Sequence, residues 1–164
     1  MRTVAAFVID LCGLLLRAEG QTARSQPVIK NTHSHSRPSQ QAPTDHFTGS
    51  ACVDPVFPTT RSARADAALV TFGPGSRPAW HTHPWGQTPI VTDGVGWIQK
   101  WGGPVEIIRN GDIVQIPPDV KHWHGAAAST SMTHLAIVEA FDGKTVQRME
   151  PVSGSQNRGR NHEL

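Results

Sequence analysis

Residues 75–94 read Gly-Ser-Arg-Pro-Ala-Trp-His-Thr-His-Pro-Trp-Gly-Gln-Thr-Pro-Ile-Val-Thr-Asp-Gly. His81 and His83 are two residues apart, so in an extended backbone their side chains leave on the same face and can approach one ion together. Gln87 follows four residues later, and His122-Trp-His124 repeats the same-face pairing about forty residues on. Three neutral imidazoles and an amide oxygen suit a divalent first-row metal with coordination positions left open.

Outward from this stretch the chain reads as short strands. Ala68–Phe72, Thr88–Thr92, Val95–Lys100, Val105–Arg109, Asp112–Ile116, Thr133–Glu139 and Thr145–Met149 are short runs, most of them rich in β-branched residues. Asp93-Gly94, Gly102-Gly103-Pro104 and Asn110-Gly111 supply turn chemistry between them. No helical periodicity is sustained after the N-terminal segment. The pattern predicts an all-β barrel or sandwich, of which the double-sheet jelly roll is one solution.

The chain has 164 residues and a formal net charge of +2, which points to one domain and argues against nucleic acid or an anionic membrane as partner. Cys12 and Cys52 cannot build a disulfide framework. All five tryptophans and five of the nine histidines fall between Trp80 and His134, so the chemistry belongs there.

Residues 1–20, with a basic start, an apolar centre and small residues at Ala18 and Gly20, have the pattern of a signal peptide, interrupted by Asp10. Such a signal implies a periplasmic or secreted protein; without it the protein is cytoplasmic. Residues 21–44 are polar, with only Val28 and Ile29 as large apolar residues, and read as a disordered linker. His33 and His35 lie in it with no scaffold to bring further ligands to them. The expected domain runs over 45–150, and 151–164 reads as a flexible tail.

Gly75, five residues, His81-Thr-His83, three residues, Gln87, six residues, Gly94 resembles the first motif of the cupin family, with Gln87 in the usual place of glutamate. Gly111, five residues, Pro117, four residues, His122 resembles the second, with Asp119 where that family has glycine. Aspartate tolerates the left-handed turn conformation, so the site should survive the exchange. Within the cupins, Ala79–Pro84, Gly86-Gln87-Thr88, Gly96-Trp97, Lys121–Ala127 and Met132–Ile137 are similar to the bacterial cupin-type (R)-hydroxynitrile lyases. That likeness extends over roughly Asp45 to Glu150.

The resemblance implies a jelly-roll cupin barrel whose metal ligands are His81, His83, Gln87 and His122, with His124 and His134 as acid/base residues beside the substrate. It implies manganese, although histidine and amide ligands also accept iron, cobalt, nickel or zinc. The implied reaction is cleavage or formation of a small aromatic cyanohydrin such as mandelonitrile, and the implied assembly is a homo-oligomer, dimer or tetramer. Replacing glutamate by Gln87 leaves the full charge of the ion uncancelled, making it a stronger Lewis acid and a more weakly held one. Two other readings remain open: another metal-dependent enzyme such as a ferrous dioxygenase, and a non-catalytic metal-dependent module that binds a small molecule. In the latter, His124 and His134 are recognition or structural groups. Trp123 should pack on the face opposite His122 and His124, and Trp85 should line the mouth of the site.

Overall fold

The computed structural model describes residues 26, 28–33 and 36–157. The signal-like segment 1–20 and His35 lie outside these residues. The chain divides into residues 1–32 and 33–164; in the first, residues 26 and 28–32 are exposed and carry no regular structure.

The second unit is all-β, as the strand pattern predicts, and is the jelly-roll barrel that the resemblance implies. Its strands are β1 (Phe47–Thr48), β2 (Ala51–Phe57), β3 (Ala65–Phe72), β4 (Arg77–Pro78), β5 (His81–Thr82), β6 (Gln87–Lys100), β7 (Val105–Arg109), β8 (His122–Ala126), β9 (Met132–Glu139) and β10 (Gln147–Arg148), followed by one helical turn, α1 (Gly154–Asn157). The main sheet runs β10-β5-β8-β6-β9-β3-β2, with β7 also on β6, and β1 pairs with β4.

Strand β6 makes the barrel. The expected Asp93-Gly94 turn, separating strands at 88–92 and 95–100, is instead a corner inside one strand. Residues 87–94 pair with β9, the register shifts between Val91 and Asp93, and residues 96–100 pair with β8. Gly94 has φ 76° and an added Cβ would lie 2.0 Å from the Ser131 carbonyl oxygen, so only glycine fits this bend. One strand thus belongs to both halves of the wall. Residues 112–116, read as a strand, make only the isolated bridges Gln87↔Ile116 and Ile90↔Ile113. Asn110-Gly111 does turn the chain, and Asp119 adopts φ 58° as its position in the second motif requires.

Two apolar clusters fill the interior. Phe72, Val91, Ile108, Met132 and Ala136 form one; Trp80, Trp123 and Val152 form the other. Trp123 is fully buried on the face opposite His122 and His124, as its place in the strand predicts. Val152, assigned by composition to the tail, is buried here. Its carbonyl accepts a bond from the Arg77 guanidinium (3.1 Å), and the Trp80 indole N–H donates to Gln156 (3.3 Å). At the other end the linker's last residues run beside β2: Ala42 N–H donates to Ala51 O and Val53 N–H to Gln40 O, both at 2.8 Å. Backbone pairing at one end and side-chain hydrogen bonds at the other, neither of which composition registers, fasten these segments to the barrel.

Gly125 lies where β8 crosses β4. A Cβ there would sit 2.4 Å from Ser76 O and 2.7 Å from Arg77 Cβ. Gly125→Ala should therefore cost about 1–3 kcal/mol in denaturant unfolding, while Gly154→Ala, which meets nothing within 4 Å, should stay within about 0.5 kcal/mol. Equal effects would show that this crossing is not tightly packed.

Candidate metal centre

The pairing of β5 with β8 sets His81 directly opposite His122, so their side chains share the inner face with ring centroids 4.3 Å apart. His83 follows β5. The ligand atoms of His81, His83 and His122 all lie within 4.8 Å of one another, and all three residues are buried.

Each ring is oriented by a backbone carbonyl. His81 Nδ1 is 2.8 Å from Ala79 O, His122 Nδ1 is 2.8 Å from Val120 O and His83 Nδ1 is 2.6 Å from Thr145 O. A carbonyl only accepts, so Nδ1 carries the hydrogen in all three rings and Nε2 keeps its lone pair. Three lone pairs thus converge. His83 Nε2 is buried without a protein partner, and His122 Nε2 faces Gln87 Oε1 at 3.2 Å, an acceptor opposite an acceptor. Both features fit a cation, which would satisfy all of these atoms at once.

Gln87 opens β6 and connects this triad to a second pair of histidines. Its Oε1 lies 3.0 Å from His124 Nε2; an amide oxygen accepts, so His124 donates from Nε2 and keeps its lone pair on Nδ1. His124 Nδ1 and both ring nitrogens of His134 are buried without a protein partner. The His124 and His134 rings stand perpendicular at 4.7 Å, and Phe72 stacks on His134 at 5.7 Å. Phe72 was not singled out from the sequence; alternation along β3 would have placed it inward.

Burial is the first cause holding these imidazoles neutral. It pushes His122 and His134 down to about 4. It lowers His81 and His124 well below the ordinary histidine value, with repulsion from neighbouring histidines adding to the shift, and lowers His83 as well. Neutral imidazole is the metal-binding form.

A cavity of about 200 Å³ opens beside the triad. Its walls alternate as strands require: Ala68, Val70 and Phe72 from β3, and His134, Ala136 and Val138 from β9, face it together with His81, His83, Gln87 and His124. Trp85, expected at its mouth, is not in this lining; it is exposed on the outside, edge-on to Phe141 at 5.8 Å. His33 is exposed in the segment before the barrel. Asp66 and Arg148, which sequence reading passed over, also line the cavity.

Residues 68–138 match the Cupin domain family. An (R)-mandelonitrile lyase of Granulicella tundricola is 54% identical over 123 residues, covering 75% of this chain and 94% of that protein. The crystal structure of a cupin-like protein from Thermotoga maritima superposes with a TM-score of 0.69 at 34% identity, covering 77% of this chain and 96% of that one. The polyketide cyclase RemF of Streptomyces resistomycificus, at a TM-score of 0.63 and 15% identity over 79% of this chain and 91% of its own, shares the fold. Barrel, paired motifs and a relative alike across most of both chains lead to one conclusion: this chain belongs to the cupin family.

Proposed function

We propose that this protein is a metal-dependent lyase that cleaves and forms cyanohydrins of small aromatic aldehydes, with mandelonitrile as the test substrate. The observation that carries the reading is the convergence of three Nε2 lone pairs beside a cavity that also holds two neutral histidines, His124 with Nδ1 and His134 with both ring nitrogens lacking a protein partner. The name of the Granulicella relative supports the substrate class.

In this reading His81, His83 and His122, with Gln87 Oε1, hold a divalent ion, manganese first among candidates. When bound, that ion supplies Lewis acidity that lowers the pKa of a substrate hydroxyl. The protein's own residues do the rest. His124 accepts the hydroxyl proton at Nδ1, since Nε2 is committed to Gln87. The oxygen forms the aldehyde carbonyl as the carbon–carbon bond breaks, and cyanide leaves with the electron pair. His124 passes its proton to His134, whose ring lies 4.7 Å away, and His134 delivers it to cyanide. One proton moves from hydroxyl to leaving group, and both histidines return to neutral. Phe72 and the aliphatic wall exclude water and receive the aromatic body.

Purified protein should carry close to one metal ion per chain by elemental analysis and release benzaldehyde from mandelonitrile; His122→Ala should lose both. Metal retained without benzaldehyde release, with oxygen consumed by the iron-loaded protein, would favour the ferrous dioxygenase reading instead, which the carboxylate-free ligand set also suits.

His124→Ala should keep its metal and lose at least about a hundredfold in kcat. Full activity in that variant would remove His124 from the reaction.

The buried histidines also set a pH dependence of stability. His134 titrates at about 4 when folded and near 6.5 when unfolded, so below about pH 6.5 the unfolded chain takes up a proton that the folded one refuses. Stability is therefore lost as pH falls from about 6.5 to about 4, and His134 accounts for about 3 kcal/mol of that loss. Relative to wild type, metal-free His134→Leu should gain by this amount across that window in denaturant titrations; a pH-independent difference would contradict the assignment.

A further inference from the structure

Arg148 is the cation of the cavity, and nothing in the reaction above uses it. It lies on β10 directly opposite His81 of β5, and opposed residues of an antiparallel pair project from the same face. Gln147, opposite Thr82, faces the other way into an outer depression that it shares with Thr82. Arg148 thus projects on the metal side, where it lines the cavity together with Phe47, Pro78, His81 and His83. Its Cζ lies 5.7 Å from the Phe47 ring centroid.

The guanidinium is not consumed by the fold. Among the described residues it makes no hydrogen bond or ion pair; Asp45 acts on it only through longer-range attraction. Other charged side chains that shape the fold are engaged: Lys121 with Glu150, Arg64 with Glu139, and Arg77 with the Gly75 and Val152 carbonyls. Asp66 lines the cavity from β3, in the other half of the wall, and does not act on His81 or His83, whereas Arg148 acts on both. The charge beside the triad is therefore positive.

We propose that Arg148 makes this a site for small organic carboxylates: the substrate has an apolar body against Phe47, Val70 and Phe72, and a carboxylate that Arg148 grips at the mouth. The planar guanidinium offers paired N–H donors at the spacing of carboxylate oxygens, a match that no neutral residue of the wall provides. The proposal deepens the lyase reading by naming the substrate class, and rests on it only for the reaction, not for the binding.

The test is calorimetric titration of the full chain with benzoate and with benzamide, its neutral counterpart, in metal-stripped and metal-loaded protein. The metal-stripped protein should bind benzoate about tenfold more tightly than benzamide. Arg148→Gln should abolish that preference, Arg148→Lys should retain part of it, and Asp45→Asn, which removes the opposing charge, should increase it. Equal affinity for the two probes, no binding of either, a preference that survives in Arg148→Gln, or one present only with metal bound would each overturn the proposal. Mandelonitrile turnover separates the two ideas: a benzoate preference without benzaldehyde release removes the lyase and leaves the carboxylate site, and the reverse result removes Arg148 alone.

Discussion

Three histidines can share one ion only if each turns a free ring nitrogen toward it, and in this cupin the backbone decides which nitrogen that is. The carbonyls of Ala79, Val120 and Thr145 each take the Nδ1 hydrogen of one ring and leave Nε2 free. Two of these carbonyls lie two residues before the histidine they orient, so a local bend on entry to β5 and β8 builds ligand and support together. The third comes from the segment leading into β10, which ties the C-terminal part of the barrel to the site. The fold around the triad serves this geometry: β5 must pair with β8, and β6 must bend at Gly94 to bring Gln87 on one half of the wall to β8 on the other.

Much of this was legible in the sequence because histidine spacing and strand period coincide. Two residues apart in an extended chain means one face, which places His81 with His83 and His122 with His124, and puts Trp123 behind them in the core. The same rule sends His134, Ala136 and Val138 inward from β9. What could not be read depends on pairing across the chain. Asp93-Gly94 has the composition of a hairpin turn, yet its glycine serves a corner, because Ser131 leaves no room for a side chain there. Val152 looks like tail until Arg77 and Trp80 fix the segment around it. Trp85, two residues from Gln87, turns outward where Gly86, at φ 79°, redirects the chain between them. Arg148 is one arginine in an unremarkable short run; only its register opposite His81 gives it meaning.

The electrostatics of the cavity follow from the same choices. Every group proposed to touch the ion is neutral, so none of the ion's charge is cancelled by the protein, and Arg148 adds a further positive charge on that side. A low-dielectric pocket carrying this charge favours whatever brings a negative one: an alkoxide in the transition state, a leaving cyanide, or a substrate carboxylate. It equally disfavours protonated histidine, which is why burial and mutual repulsion push the imidazoles in one direction. Metal and proton therefore compete for the same lone pairs with the protein set against the proton. The structure that readies the site for a cation thus also readies it to hold anions against that cation, and a glutamate at position 87 would weaken the second property in strengthening the first.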